Sequence, residues 1–223
     1  MKRRLAEEVM AMRVAREFRD GDCVNLGIGI PNLCALLVPQ GKTVHFQSQN
    51  GVLGYGPVLL AEERDRVDIK YIDAGGRFFS PRLGMSFFDM GTSFDMIRAG
   101  RLDVTVLGAY QVSEKGDIAN YRRPGDASIC IGGSMDLAVG AKRLIVAMEH
   151  CTKEGAPRIL RRCSYPLTGK ECVNLLVTDI AVVEVTRKGL VLQELAPGWT
   201  PEEVQAVTEP TLLLAKDLKE IDL

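Results

Sequence analysis

Nowhere in the 223 residues does an apolar run approach the roughly 18 to 20 residues of a membrane-spanning helix. The opening stretch MKRRLAEEVMAMRVAREFRDGD threads both charge signs through its apolar positions, so it lacks the uninterrupted apolar segment of a secretory signal. An excess of one charge is missing too. With 28 basic and 29 acidic residues the net charge is -1, which supplies no field to attract nucleic acid or an anionic membrane. These absences predict a soluble cytoplasmic chain with no nucleic acid and no membrane among its partners. The six cysteines (Cys23, Cys34, Cys130, Cys151, Cys163, Cys172) form no CxxC pair. The two histidines, His45 and His150, stand in neither an HExxH nor a GxSxG context. No metal site is expected, and the cysteines read as small buried hydrophobes with free thiols.

What is present is the pattern of one large α/β domain spanning residues 1 to 223, with 46% apolar residues to fill its core. Residues 3 to 19 carry an amphipathic helical stripe that stops at Asp20-Gly21. CVNLG (23 to 27), a GIGIP turn and NLCALLV (32 to 38) follow as strand, turn and helix, the helix starting beside Pro31. TVHFQ (43 to 47), IKYI (69 to 72), DVTVLG (103 to 108) and RLIVAM (143 to 148) are candidate buried strands, and residues 86 to 100 a helix between two of them. DIAVVEVTRKGLVLQELA (179 to 196) reads as two strands about a Lys188-Gly189 turn, and PEEVQAVTE as a short helix. The prediction is an open, mainly parallel or mixed sheet with helices on both faces and an antiparallel hairpin at one edge near the C-terminus.

Glycine collects where these strands end: Gly27 and Gly29, then Gly51, Gly54 and Gly56, then Gly75 and Gly76, and later Gly132 and Gly133. In open α/β sheets such loops line ligand clefts. NLGIGIPN is no dinucleotide fingerprint, because GxGxxG needs glycine where Asn32 stands. Taken alone it reads equally as a tight strand-to-helix turn. Gly132-Gly133 precedes a helix start, where backbone N-H groups can hold an oxyanion or do nothing beyond starting a helix. The arginine pairs at 122-123 and 161-162 read as solvated surface. The stretch FQSQNGVLGYGP (46 to 57) places an Asn50-Gly51 turn after a strand, and both residues tolerate positive φ. That turn mounts Gln49, a side chain with neither charge nor nucleophilicity.

NLGIGIP at 25 to 31, QSxNGVLGYGP at 47 to 57, AGG at 74 to 76, GGSMDL at 132 to 137 and AMEHCTKEGAPRILRRCSYPLTG at 147 to 169 occur in one order along nearly the whole chain. Together they resemble the B subunit of family I CoA-transferases, the acetoacetate, 3-oxoacid and butyrate type. The resemblance implies a protein that works with a separate A subunit, as a heterodimer or heterotetramer. It also implies coenzyme A or acyl-CoA as substrate, a short carboxylic acid as co-substrate and no tightly bound cofactor. It places a catalytic glutamate at position 49, attacking the acyl-CoA carbonyl and passing through an anhydride to a glutamyl-CoA thioester. It puts backbone oxyanion donors at Gly132 and Gly133, and Asn25, Gly27, Gly29, Asn50, Gly51, Gly75 and Gly76 along the cleft.

Glutamine at 49, whether introduced or native, breaks this pattern. Asp126, Cys130-Ile131 and Leu83-Gly84-Met85 also depart from the usual residues of loops expected near substrate and CoA. Three readings follow: a transferase disabled at its nucleophile, an enzyme doing other acyl-CoA chemistry such as decarboxylation or hydrolysis, and a non-catalytic partner of an A subunit.

Overall fold

The computed structural model describes residues 2 to 125 and 131 to 222, except the side chains of Ala61 and Arg64. Asp126 and Cys130 lie outside the described residues. The helices are α1 (Glu7–Ala15), α2 (Ile30–Leu33, continued by a 3-10 turn over Cys34–Leu36), α3 (Met90–Arg98), α4 (Ser134–Gly140) and α5 (Pro201–Ala206). The first strands are β1 (Cys23–Leu26), β2 (His45–Ser48), β3 (Val52–Leu53), β4 (Ser86–Phe87) and β5 (Val104–Leu107). They are followed by β6 (Gln111–Ser113), β7 (Ile118–Ala119), β8 (Leu144–Met148) and β9 (Ile159–Leu160). The last four are β10 (Val173–Thr178), β11 (Ala181–Thr186), β12 (Gly189–Leu195) and β13 (Leu212–Glu220).

Ten strands form one mixed sheet in the order β13-β12-β11-β10-β8-β5-β1-β2-β3-β4, and β7-β6-β9 form a small second sheet. The centre, β10-β8-β5-β1-β2, is parallel. Those strands are apolar on both faces because both are covered. Alternation sends Ile145, Ala147, Val104, Val106 and Val24 toward α1 and α2. Leu144, Val146, Met148 and Leu107 go toward α3, α4 and α5. Helices therefore lie on both faces, as the sequence predicts. The chain leaves β1 through α2 to reach β2 on one side, then returns through α3 to β5 on the other. In open α/β sheets ligands bind at such a reversal, here at the carboxyl ends of β1 and β5.

Several expected elements differ. The predicted strand 69 to 72 is a turn: Asp68 accepts from the N-H of Lys70 through its side chain and from Tyr71 through its carbonyl, which diverts the backbone. Only an isolated bridge from Ile72 to Phe78 remains. The predicted helix 86 to 100 gives its first two residues to β4, which pairs with β3. The helix begins only after Asp89, whose carboxylate caps the N-H of Thr92 at 3.0 Å. The helix over 32 to 38 starts earlier, at Ile30, and tightens into 3-10 geometry ahead of Pro39. The helix over 3 to 19 shortens to Glu7–Ala15. The β11-β12 hairpin forms, but β13 adds parallel to β12 and becomes the sheet edge in its place.

Candidate active site

Three adjacent parallel strands bring polar side chains into register. Asn25 on β1 is level with Gln47 on β2 and with Thr105 on β5, and all three are fully buried. By strand alternation they face α3 and α4. Gln49 lies two residues beyond Gln47, at the tip of the β2-β3 hairpin. The carbonyl of Ser48, accepting from the N-H of Gly51 at 3.0 Å, closes that tip, and Gly51 takes φ +110°. Asn50 does not adopt positive φ, so the hairpin relies on glycine alone. A Cβ at Gly51 would sit 2.0 Å from the carbonyl oxygen of Phe88, which is why no other residue fits.

The amide of Asn25 organises the site. Its Nδ2 donates to the Gln47 carbonyl at 3.1 Å, to Gln47 Oε1 at 2.6 Å and to Gln49 Oε1 at 3.3 Å, while its Oδ1 is buried without a partner among the described residues. Gln47 Nε2 donates in turn to Ser93 Oγ on α3 at 2.7 Å. Gly133, which opens α4, stands on the other side of the half-buried Gln49: a Cβ there would be 3.4 Å from Gln49 Cγ and 3.3 Å from Phe94 Cζ. Gly132 beside it takes φ +52°. The 73 to 77 loop is stitched to the same hairpin, since Ala74 N-H donates to Ser48 Oγ at 2.8 Å and Asn50 Nδ2 to the carbonyl of Ile72 at 2.8 Å. Asp73 holds this loop through the N-H of Arg77. Burial pushes its carboxyl above the usual range, against backbone donors that pull the other way.

Residues 7 to 206 match the coenzyme A transferase family profile. The chain is 43% identical over 213 residues to the beta chain of the acetate CoA-transferase of Escherichia coli K12, covering 96% of both. It is 41% identical to the B chain of the 3-oxoadipate CoA-transferase of Acinetobacter baylyi, covering 94% of this chain and 96% of that one. The chain belongs to the coenzyme A transferase family, as a B subunit.

Longer relatives of the family contain this unit as a part. The mitochondrial succinyl-CoA:3-ketoacid coenzyme A transferase 2B of Mus musculus is 46% identical over 209 residues, 93% of this chain and 40% of that one. Among solved structures, an acyl-CoA transferase apoenzyme from Escherichia coli O157:H7 superposes with TM-score 0.76 at 20% identity, over 98% of this chain and 43% of that one. The decarboxylase AibA/AibB superposes with TM-score 0.69 at 18% identity, over 97% and 88%. At these identities both likenesses speak for the fold.

Most residues singled out from sequence for this transferase fold converge on the hairpin: Asn25, Gln49, Asn50, Gly51 and Gly133 directly, with Gly132 adjacent. Gly75 lies one step away, packed against the amide of the buried Asn32, and Gly76 turns the same loop at φ +79°. Gly27 ends β1 with its N-H on the Val106 carbonyl at 2.8 Å. Gly29 instead starts α2 in the open, with nothing within 4 Å of where a Cβ would stand. Sequence reasoning missed Gln47, Ser48, Ser93, Asn32 and Asp73. Only the period-2 spacing of Gln47 from Gln49 signalled any of them.

Elsewhere, His150 is fully buried between the hydroxyls of Thr178 and Thr208, and burial pushes its imidazole down to about 4. It is a packed core histidine. The five described cysteines are free thiols, and burial raises that of Cys34 to about 12. Among the described residues no three His, Cys, Asp or Glu side chains gather as metal ligands, and no helix is long and apolar enough to cross a membrane. Cavities of about 150 Å³ beside Lys42 and Arg82, and of about 760 Å³ beside Lys115 and Arg187, do not include Gln49.

Proposed function

We propose that this chain bears the nucleophile position of a transferase that moves CoA between a short-chain acyl-CoA and a carboxylate, and that glutamine at 49 disables the covalent route. The carrying observation is the 3.3 Å hydrogen bond from Asn25 Nδ2 to Gln49 Oε1, with Gly133 packed against Cγ of the same side chain. The site presents an N-H to an oxygen at position 49 and sets Cγ of that side chain beside the α4 start. A carboxylate there would attack the thioester carbonyl and expel CoA thiolate, leaving an acyl-glutamyl anhydride. The thiolate would then attack the glutamyl carbonyl, freeing the donor acid and leaving a glutamyl-CoA thioester. An acceptor carboxylate would reverse both steps. Backbone N-H groups of the Gly132-Gly133 loop would face the tetrahedral oxyanions.

Glutamine cannot follow this route, because its oxygen carries no full charge and its nitrogen lone pair is delocalised. Loss of a covalent nucleophile costs on the order of 10⁴ to 10⁶ in turnover. The partner is an A subunit, in a heterodimer or heterotetramer, and it supplies the rest of the pocket. One observation supports this: this unit occupies 40% of a longer transferase chain.

The test is the rate of acyl-CoA exchange with a panel of short carboxylates, using the chain assembled with its A subunit, as found and as Gln49→Glu. Exchange by the Gln49→Glu form alone is the expected result. If neither form exchanges while the glutamine form consumes acyl-CoA without an acceptor, the site runs decarboxylation or hydrolysis instead. If neither form consumes acyl-CoA at all, the chain is a structural partner of its A subunit.

A further inference from the structure

Three fully buried side chains on three different elements form one directed relay beneath Gln49: Ser93 on α3, Gln47 on β2 and Asn25 on β1. Two backbone carbonyls, which can only accept, set its direction. Ser93 has a single hydroxyl proton and donates it to the Ser48 carbonyl at 3.3 Å, so its oxygen is left to accept from Gln47 Nε2 at 2.7 Å. That fixes the Gln47 amide with Oε1 turned toward Asn25, 2.6 Å away. The Gln47 carbonyl, 3.1 Å from Asn25, requires an N-H there as well. Asn25 therefore cannot turn its oxygen to this side, and Nδ2, with two protons for three acceptors, shares one of them between a Gln47 oxygen and Gln49 Oε1 at 3.3 Å.

We propose that Ser93 is a positioning residue for the side chain at 49, acting through Gln47 and Asn25 without touching substrate. Its catalytic meaning rests on the transferase reading above. Without the hydroxyl, Gln47 Nε2 has no acceptor toward α3, and its amide is free to turn. The 2.6 Å contact that aligns Asn25 then loosens, Asn25 stays tethered only by the Gln47 backbone carbonyl, and its N-H is no longer held toward position 49. Burying three linked polar side chains makes sense where one rotamer must be held, since each amide left unpaired would destabilise the fold.

The test is made in the Gln49→Glu chain assembled with its A subunit. A ¹³C NMR titration of the Glu introduced at position 49 and the pH-rate profile of CoA exchange are compared with and without Ser93→Ala. A hydrogen bond to a carboxylate favours its charged form, so loss of the Asn25 donor raises the carboxyl pKa by about half a unit or more. The acid limb of the rate profile moves up with it. kcat falls by about ten- to a hundredfold while KM for acyl-CoA stays near its starting value, as misplacement of a reacting group does. The charged groups on the packed elements, Asp73 in the 73 to 77 loop, Asp89 at the start of α3 and the Arg98–Asp136 pair between α3 and α4, are the same in both proteins. Ser93→Cys keeps the volume with a weaker acceptor, so it gives a smaller shift of the same sign, and it decides the matter if Ser93→Ala does not fold. A lowered melting temperature with the carboxyl titration and rate profile unmoved would show Ser93 to be structural only and overturn the proposal. Should the Gln49→Glu pair fail to exchange CoA, the functional reading alone fails, and the titration still decides the role of Ser93.

Discussion

β8 and the pair β1 and β2 belong to the parallel centre of one sheet, with β5 between them, yet they are built on opposite rules. β8 reads LIVAM and buries five apolar side chains. β1 and β2, under the same helices, read CVNL and HFQS and bury two primary amides with no exposure at all. An apolar strand needs only to fill space. A strand holding Asn25 and Gln47 must find a partner for each amide, and it finds them in one another, in Ser93 and in Gln49. One buried oxygen, Asn25 Oδ1, has no partner among the described residues. The polar half of the sheet gives up some packing stability for orientation, and it does so directly under the candidate nucleophile position.

The contrast can be broken from either side. The largest effect belongs to the polar half: Gln49→Glu raises acyl-CoA exchange by about 10⁴ or more, read by steady-state kinetics with the A subunit present. Next, placing an amide in the apolar strand by Val146→Asn buries a group with no partner and lowers unfolding free energy by about 3 kcal/mol or more, read by urea denaturation. His150, just past the end of β8, makes the apolar half sensitive to acid. Its imidazole sits at about 4 when folded against 6.5 when free, so the unfolded chain binds the extra proton between those values. Stability therefore holds above pH 6.5 and falls as pH drops toward 4, by on the order of 3 kcal/mol in full. His150→Gln flattens melting temperature against pH over that window. The smallest effect is that of Gln47→Leu, which removes the shortest acceptor of Asn25 and the donor to Ser93 for about 1 to 3 kcal/mol. It nevertheless moves the side chain at 49, so it lowers exchange by Gln49→Glu more than its stability loss explains.

How far the sequence foretold this follows the same divide. Apolar parallel strands such as VTVL and LIVAM show themselves by composition, and the sheet with helices on both faces followed from them. IKYI looked equally strand-like and is not one, because the Asp68 side chain captures the next turn. β13 escaped notice because its apolar start, Leu212 to Ala215, runs into the mostly charged Lys216 to Glu220, as at a sheet edge, where only Leu212 is buried and even Leu213 and Leu214 are exposed. At the site, the Asn50-Gly51 turn pointed to Gln49, since a residue held on a tight turn draws attention, while Asn25 and the role of Gly133 came only from the family resemblance. Gln47 and Ser93 did not stand out. A glutamine in a strand and a serine in a helix resemble surface residues until α3, 46 residues away, docks on β2 and buries both. Polar burial is a tertiary property, and only alternation along β2 hints at it.

The most direct test of the account is intact-mass spectrometry of the assembled pair after incubation with an acyl-CoA and no acceptor acid, comparing the chain as found with Gln49→Glu. The account predicts a CoA adduct on the Gln49→Glu chain, mapped to position 49, and none on the glutamine form. An adduct on neither chain, or one mapped to any other residue, would contradict the claim that this hairpin is built to present a covalent carboxylate.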